Sequence, residues 1–101
     1  MPNGYILALV DVPDETAYRA SGYMQMAEDS IRAHGGRFLV RGGDPAPLEG
    51  APIGRRIVIL EFPIREAAAA FHASEQYAPA ITLRQSLSAS QLVLLTGFDP
   101  G

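Results

Sequence analysis

Along this chain, short stretches in which apolar residues alternate or run together are separated by stretches in which they recur every three to four positions. The first period belongs to strands and the second to helices. Tyr5 to Val12 is rich in branched residues and stops at Pro13, which predicts a strand. Side chains alternate along a strand, so Tyr5, Leu7, Leu9 and Asp11 share one face and Ile6, Ala8, Val10 and Val12 the other. Both faces are largely apolar, and each needs cover.

Pro13, Asp14 and Glu15 supply a helix start, with a fixed first φ and acids at the positive end of the helix dipole. The predicted helix runs to about His34. Its inner stripe is Ala17, Ala20, Met24, Ala27, Ile31 and His34, and Tyr18 flanks that stripe. Gly22 inside it costs about 1 kcal/mol against alanine and implies close packing or a local bend. Gly35 and Gly36 close the helix, and Arg37 to Arg41 forms a second strand.

Gly42 to Gly54 is crowded with Gly and Pro and is too long for a tight hairpin. It reads as a flap, an arm reaching a partner, or a variable surface loop. Arg55 to Phe62 returns as a third, antiparallel strand. A register that places Phe38 and Val40 with Val58, Leu60 and Phe62 makes one face wholly apolar. It leaves Arg37, Leu39, Arg41, Arg55, Ile57, Ile59 and Glu61 on the other.

Arg65 to Ser74 predicts a second helix with Ala67, Ala70, Phe71 and Ser74 inward and His72 beside them. After a kink, a helical piece from about Ala78 carries Ala80, Leu83, Arg84 and Leu87 on its inner stripe, with Pro79 in the first turn. The last strand is Leu92 to Phe98, and a short tail ends at Gly101.

The order strand, helix, strand, strand, helix, strand is the split βαβ, ferredoxin-like arrangement: an α+β fold with a four-stranded antiparallel sheet and helices on one face. The other sheet face would present Tyr5, Leu7, Leu9, Leu39, Ile57 and Ile59 to water. That patch is too apolar to stay bare, so a second copy of the chain is expected to cover it as a homodimer.

Composition narrows the chemistry. A chain of 101 residues, 48% hydrophobic, is one domain with an adequate core. The net charge of -3 argues against an extended nucleic-acid surface but leaves local anion binding open. All eight cations are arginine, so each offers a planar fork of donors. With no cysteine and only His34 and His72, disulfides, thiolate nucleophiles and a metal site are not expected, and no cofactor is implied. The apolar run from Tyr5 to Val10 is too short for a signal core or a membrane span. A soluble cytoplasmic protein is the default expectation.

Several side chains stand out as candidates. His34, at the last turn of its helix, suits either a general base or a cap for the final carbonyls. His72 points either to a pocket or to solvent. Asp11, Arg37, Arg41 and Glu61 are expected to form a polar cluster, because the strand ends that carry them should meet. One arginine of it is also a candidate for a carboxylate or phosphate ligand. Arg84 on an apolar stripe is the sharpest anomaly, since it needs an internal acid or a ligand anion. Tyr18, Tyr77 and Phe71 suit an aromatic wall nearby. Together Tyr18, His34, Phe38, His72 and Arg84 define a candidate pocket for binding or transforming a small aromatic or acidic molecule without metal. The alternative is a non-enzymatic dimeric module whose polar residues specify assembly.

The opening Gly-Tyr-Ile-Leu-Ala-Leu-Val-Asp-Val, the block Ala-His-Gly-Gly-Arg-Phe-Leu-Val-Arg-Gly-Gly at 33 to 43, Leu-Glu-Gly at 48 to 50 and Ile-Leu-Glu-Phe-Pro at 59 to 63 carry a resemblance. So do Ala-Phe-His-Ala-Ser-Glu-Gln-Tyr at 70 to 77 and Leu-Arg-Gln at 83 to 85. The chain resembles, over nearly its whole length, the small bacterial proteins grouped as domain of unknown function 1330. The resemblance implies the dimeric α/β-barrel fold, shared with cofactor-free monooxygenases among others, and no particular activity. His72 replaces an aromatic residue common in that group, and Ser-Glu-Gln-Tyr replaces its frequent Ser-Pro-Glu-Tyr.

Overall fold

The structure, a computed structural model, describes residues 2–99 of the chain; the end of the predicted tail, 100 and 101, lies outside the described residues. The elements follow in the order β1 (Gly4–Asp11), α1 (Glu15–Ala20), α2 (Tyr23–Ala33), β2 (Arg37–Gly42), β3 (Arg56–Phe62), α3 (Arg65–His72), α4 (Ala78–Leu87) and β4 (Ala89–Thr96). One antiparallel sheet runs β2-β3-β1-β4, and the helices cover one of its faces. The fold is the ferredoxin-like α+β arrangement of the dimeric α/β-barrel class.

Alternation along β1 sets the two faces. Ile6, Ala8 and Val10 are buried under the helices, while Tyr5, Leu7 and Leu9 lie half-buried on the open face. The core joins Ile6, Leu60 and Phe62 of the sheet to Ala27 and Ile31 of α2, Ala68 and Phe71 of α3, Tyr77, and Ala80 of α4. At about 25 cal/mol per Å² of apolar surface, these side chains supply most of the drive to fold.

The single helix expected up to His34 is two. Asp14 caps α1 by accepting from the Ala17 N–H at 3.0 Å, and Ser21 ends it. Gly22 then adopts a left-handed φ of 83° and starts α2 in a new direction. No atom lies within 4 Å of where its Cβ would be, so the bend, and not close packing, is what the glycine serves. The new direction changes which residues face inward. Ala20 is exposed and Tyr18 buried, the reverse of the stripe expected from periodicity. In α3, likewise, Ala68 is buried and Ala70 exposed.

The strand register also departs from expectation. Arg37 pairs with Glu61 and Phe38 with Leu60, but Val40 pairs with Ile59 and Arg41 with Val58, so Leu39 is an extra residue forming a β-bulge. An extra residue reverses the alternation beyond it. Val40 therefore leaves the helix-facing side, and Arg41 joins it in the row of Ala8, Val58 and Leu92. β4 begins at Ala89 and ends at Thr96, earlier than expected at both ends, and Phe98 is exposed beyond it. No described helix is long and apolar enough to cross a membrane.

Candidate functional site

The helices do not fill the space above β1, β2 and β3. A cavity of about 60 Å³ remains, and its walls include Tyr18, Tyr23, Tyr77, Phe38 and Phe71. One ordered water needs roughly 10–15 Å³ on the same measure, so the cavity holds several waters or a small ring. Its lining otherwise consists of aliphatic side chains of the core and three arginines, Arg41, Arg56 and Arg84.

Each arginine arrives by a different route. Arg84 comes from α4, which packs across α1 and α2 and brings the side chain in from the helical side. Arg56 belongs to β3 on the same parity as Val58 and Leu60. Arg41 is delivered by the bulge.

Their partners differ as well. Arg56 forms an ion pair with Glu15 of α1 at 2.7 Å and lies over the Tyr18 ring, its guanidinium carbon 5.5 Å from the centroid. Arg41 lies over the Phe38 ring at 4.6 Å and pairs with no acid among the described residues. Arg84 is only 4% exposed, its Nε is sealed from solvent without a hydrogen-bond partner, and no described acid neutralises it. A buried charge in that state costs several kcal/mol unless something supplies the missing counter-charge.

The phenols form the polar part of the wall. The Tyr23 and Tyr77 hydroxyls share a hydrogen bond of 2.5 Å, and the Tyr18 and Tyr23 rings lie 5.6 Å apart. Burial raises the Tyr23 hydroxyl well above the ordinary tyrosine value, and its neighbour Tyr77 adds to the rise. Burial also raises Tyr18, against the pull of Arg56. These groups are therefore neutral donors at physiological pH. Tyr18 makes no hydrogen bond through its hydroxyl to any described residue.

The other candidates lie elsewhere. His34 is the C-cap of α2, and its ring Nδ1–H donates to the Ser30 carbonyl at 2.8 Å, while its ring meets Phe71 edge-on at 6.1 Å. A carbonyl can only accept, which fixes the tautomer. His72 is exposed on α3 and lines a separate, more open groove with Ala68, Ala69 and Val93. Neither imidazole lines the cavity.

The polar cluster divides in three. Glu61 takes Arg37 Nε at 2.9 Å and Nη2 at 2.8 Å on one oxygen, and the Tyr5 hydroxyl and Asn3 amide, each at 3.0 Å, on the other. Asp11 cannot join them. β1 and β3 are antiparallel, so the end of β1 lies at the opposite edge of the sheet, opposite Ala89. Arg41 is drawn to the cavity instead.

The Arg37 hydrogen bond, followed by those of Tyr5 and Asn3, lowers the Glu61 carboxyl below its ordinary 4.5. A lowered folded-state value gives stability that is present above the unfolded pKa and lost as pH falls through the folded one. Glu61→Gln is therefore expected to melt below wild type at pH 7, with the gap closing below about pH 4. Thermal melts across pH 3 to 7 would show this, and a gap constant across that range would refute it.

Comparison with known proteins follows from this geometry. The family described as Domain of unknown function (DUF1330) matches residues 3–98. Among solved structures, a protein of unknown function from Rhodopseudomonas palustris, RPA0582, is 24% identical with a TM-score of 0.72, covering 98% of this chain and 85% of its own. SnoaB, a cofactor-independent oxygenase from Streptomyces nogalater, is 16% identical with a TM-score of 0.68 and full coverage of both chains. An antibiotic biosynthesis monooxygenase is 15% identical with a TM-score of 0.55, covering 95% and 99%. At these identities the likeness is one of fold. No functionally curated protein matches the chain.

Proposed function

The chain belongs to the DUF1330 family, and on the strength of its own cavity we propose that it binds a small organic anion with an apolar, ring-sized body between sheet and helices. The observation that carries this reading is Arg84, a guanidinium that no described acid neutralises, in a cavity walled by aromatic rings. A carboxylate seated there would make forked, charge-assisted hydrogen bonds and return the charge balance that the fold omits.

The lining favours holding an anion over abstracting a proton. Its described residues include no carboxylate and no imidazole, and Tyr18 and Tyr23 are held in the protonated form by burial. Chemistry that suits such a wall without a metal is stabilisation of negative charge that the ligand itself develops. Calorimetric titration with benzoate and its neutral counterpart benzamide tests the binding step. Benzoate is expected to bind and benzamide to fail; equal binding of both would remove Arg84 from the account.

A second reading, a non-enzymatic homodimeric module, is favoured by the open sheet face. Tyr5, Leu7, Leu9, Ile57 and Ile59 share it with exposed Leu39, Val93 and Leu95. A continuous apolar face of this kind suits a second copy. The 43–55 loop, with Leu48 98% exposed, is the arm we assign to the partner subunit. Both readings hold together in a ligand-binding dimer. Ile57→Glu places a charge on an inner strand of that face, where Ile57 pairs with Leu9 and Gly42. Light scattering at micromolar concentration is expected to show a dimer for wild type and a monomer for the variant. A wild-type monomer would overturn the assignment.

A further inference from the structure

We infer that the ligand carries two acidic groups, one taken by Arg84 within the cavity and the second by Arg41 at its mouth. This rests on the reading of the cavity as an anion site and adds the chemical class of its occupant. Of the three arginines in the lining, Glu15 neutralises Arg56 alone. Arg84 and Arg41 are left, each without an acid among the described residues.

Arg41 is not an incidental surface residue. The bulge at Leu39 turns it to the helix-facing side, and the Phe38 ring holds its guanidinium over the cavity wall. The two uncompensated charges occupy different places, one buried on α4 and one exposed on β2. A single phosphate concentrates its charge at one point and suits one of them. A small dicarboxylate distributes its charge and suits both, with its body against the rings between. Tyr18, whose hydroxyl has no partner among the described residues, is available as a donor to either end.

The test is calorimetric titration at low salt and pH 7. The probes are the three benzenedicarboxylates, the straight-chain diacids from malonate to adipate, the monoamide of the best diacid, and inorganic phosphate. The proteins are wild type, Arg41→Gln and Arg84→Gln, each with its melting temperature recorded to confirm folding. At least one diacid is expected to bind wild type about tenfold tighter than its monoamide, the size of one charge-assisted contact. Arg41→Gln should reduce that diacid to the affinity of the monoamide while leaving the monoamide within about twofold. Arg84→Gln should abolish both, and phosphate should bind weakly to all three proteins.

Equal affinity for diacid and monoamide, or an Arg41→Gln effect shared by both, overturns the two-acid inference. The anion site at Arg84 then stands alone, because loss in Arg84→Gln persists. Phosphate binding as tight as the best diacid also overturns it. If no diacid and no monoamide binds wild type, both readings fall together.

Discussion

Arg84→Met is expected to yield a protein that is more stable than wild type and unable to bind its ligand. Methionine keeps the length and flexibility of the arginine stem and removes a charge that no described group neutralises. Replacing buried ionic groups with apolar ones of similar size is often stabilising by about 1–4 kcal/mol. For a chain of 101 residues each kcal/mol shifts the melting temperature by about 4–8 °C. A rise of about 5–15 °C, with benzoate binding lost, is the predicted pair of results. Arg84→Lys should separate the parts, retaining charge but losing the planar fork, so that binding weakens while stability stays near wild type. If Arg84→Met melts lower than wild type, the guanidinium supports the fold and the argument for a ligand loses its basis. A residue that costs stability and is indispensable for binding is the usual mark of a functional position.

The second large effect is destabilising and comes from Gly4. A Cβ there would lie 2.5 Å from the Arg65 Cα, 2.7 Å from the Arg65 nitrogen and 2.7 Å from the Ile64 oxygen. All three are backbone atoms at the start of α3, and no rotamer change can move them aside. Gly4→Ala is therefore expected to cost about 3 kcal/mol, the upper end for overpacking, and to lower the melting temperature by about 10–20 °C. Gly22→Ala is the control. Open space surrounds that position, so only its left-handed φ is penalised, at about 1 kcal/mol. Denaturant melts of the two variants would order them. A Gly4→Ala protein within about 0.5 kcal/mol of wild type would mean that α3 slides freely on β1. It would also mean that the Phe71 wall of the cavity is not fixed from that side.

The architecture was legible because it depends on patterns with strong physical causes. Tyr5 to Val10 announces a strand with two apolar faces, and the paired glycines at 35 and 36 announce where the helix ends. Helix phase was harder to read from alanines. Ala20 and Ala70 were expected inside and lie outside, because a methyl group gains little from either environment and, for Ala20, the break at Gly22 separates its helix from the phase of the next. Asp11 was placed with Glu61 through an error of direction, which the antiparallel pairing of β1 and β3 corrects.

The site was legible in part. Arg84 was visible as a cation on an apolar stripe, and Tyr18, Phe38, Phe71 and Tyr77 do gather around it. Arg56 was missed, although its parity with Val58 and Leu60 placed it on the inner face. Tyr23 was missed because it follows the helix break that brings it toward Tyr77. Arg41 had no such signal. The run from Arg37 to Arg41 alternates perfectly well without a bulge, and only pairing with β3 shows that Leu39 is surplus.

That surplus residue makes β2 a counting device. Which of Val40 and Arg41 meets the cavity is decided by whether an odd or even number of residues separates it from Phe38 in the ladder, not by its own chemistry. Removing Leu39 would keep both pairings and leave Arg41 at the cavity, whereas a regular ladder of the same length, with Leu39 paired to Ile59, would exchange them and turn that positive charge out onto the other face of the sheet. One pairing step in this ladder thus decides whether the charge serves the proposed anion site or the proposed dimer face.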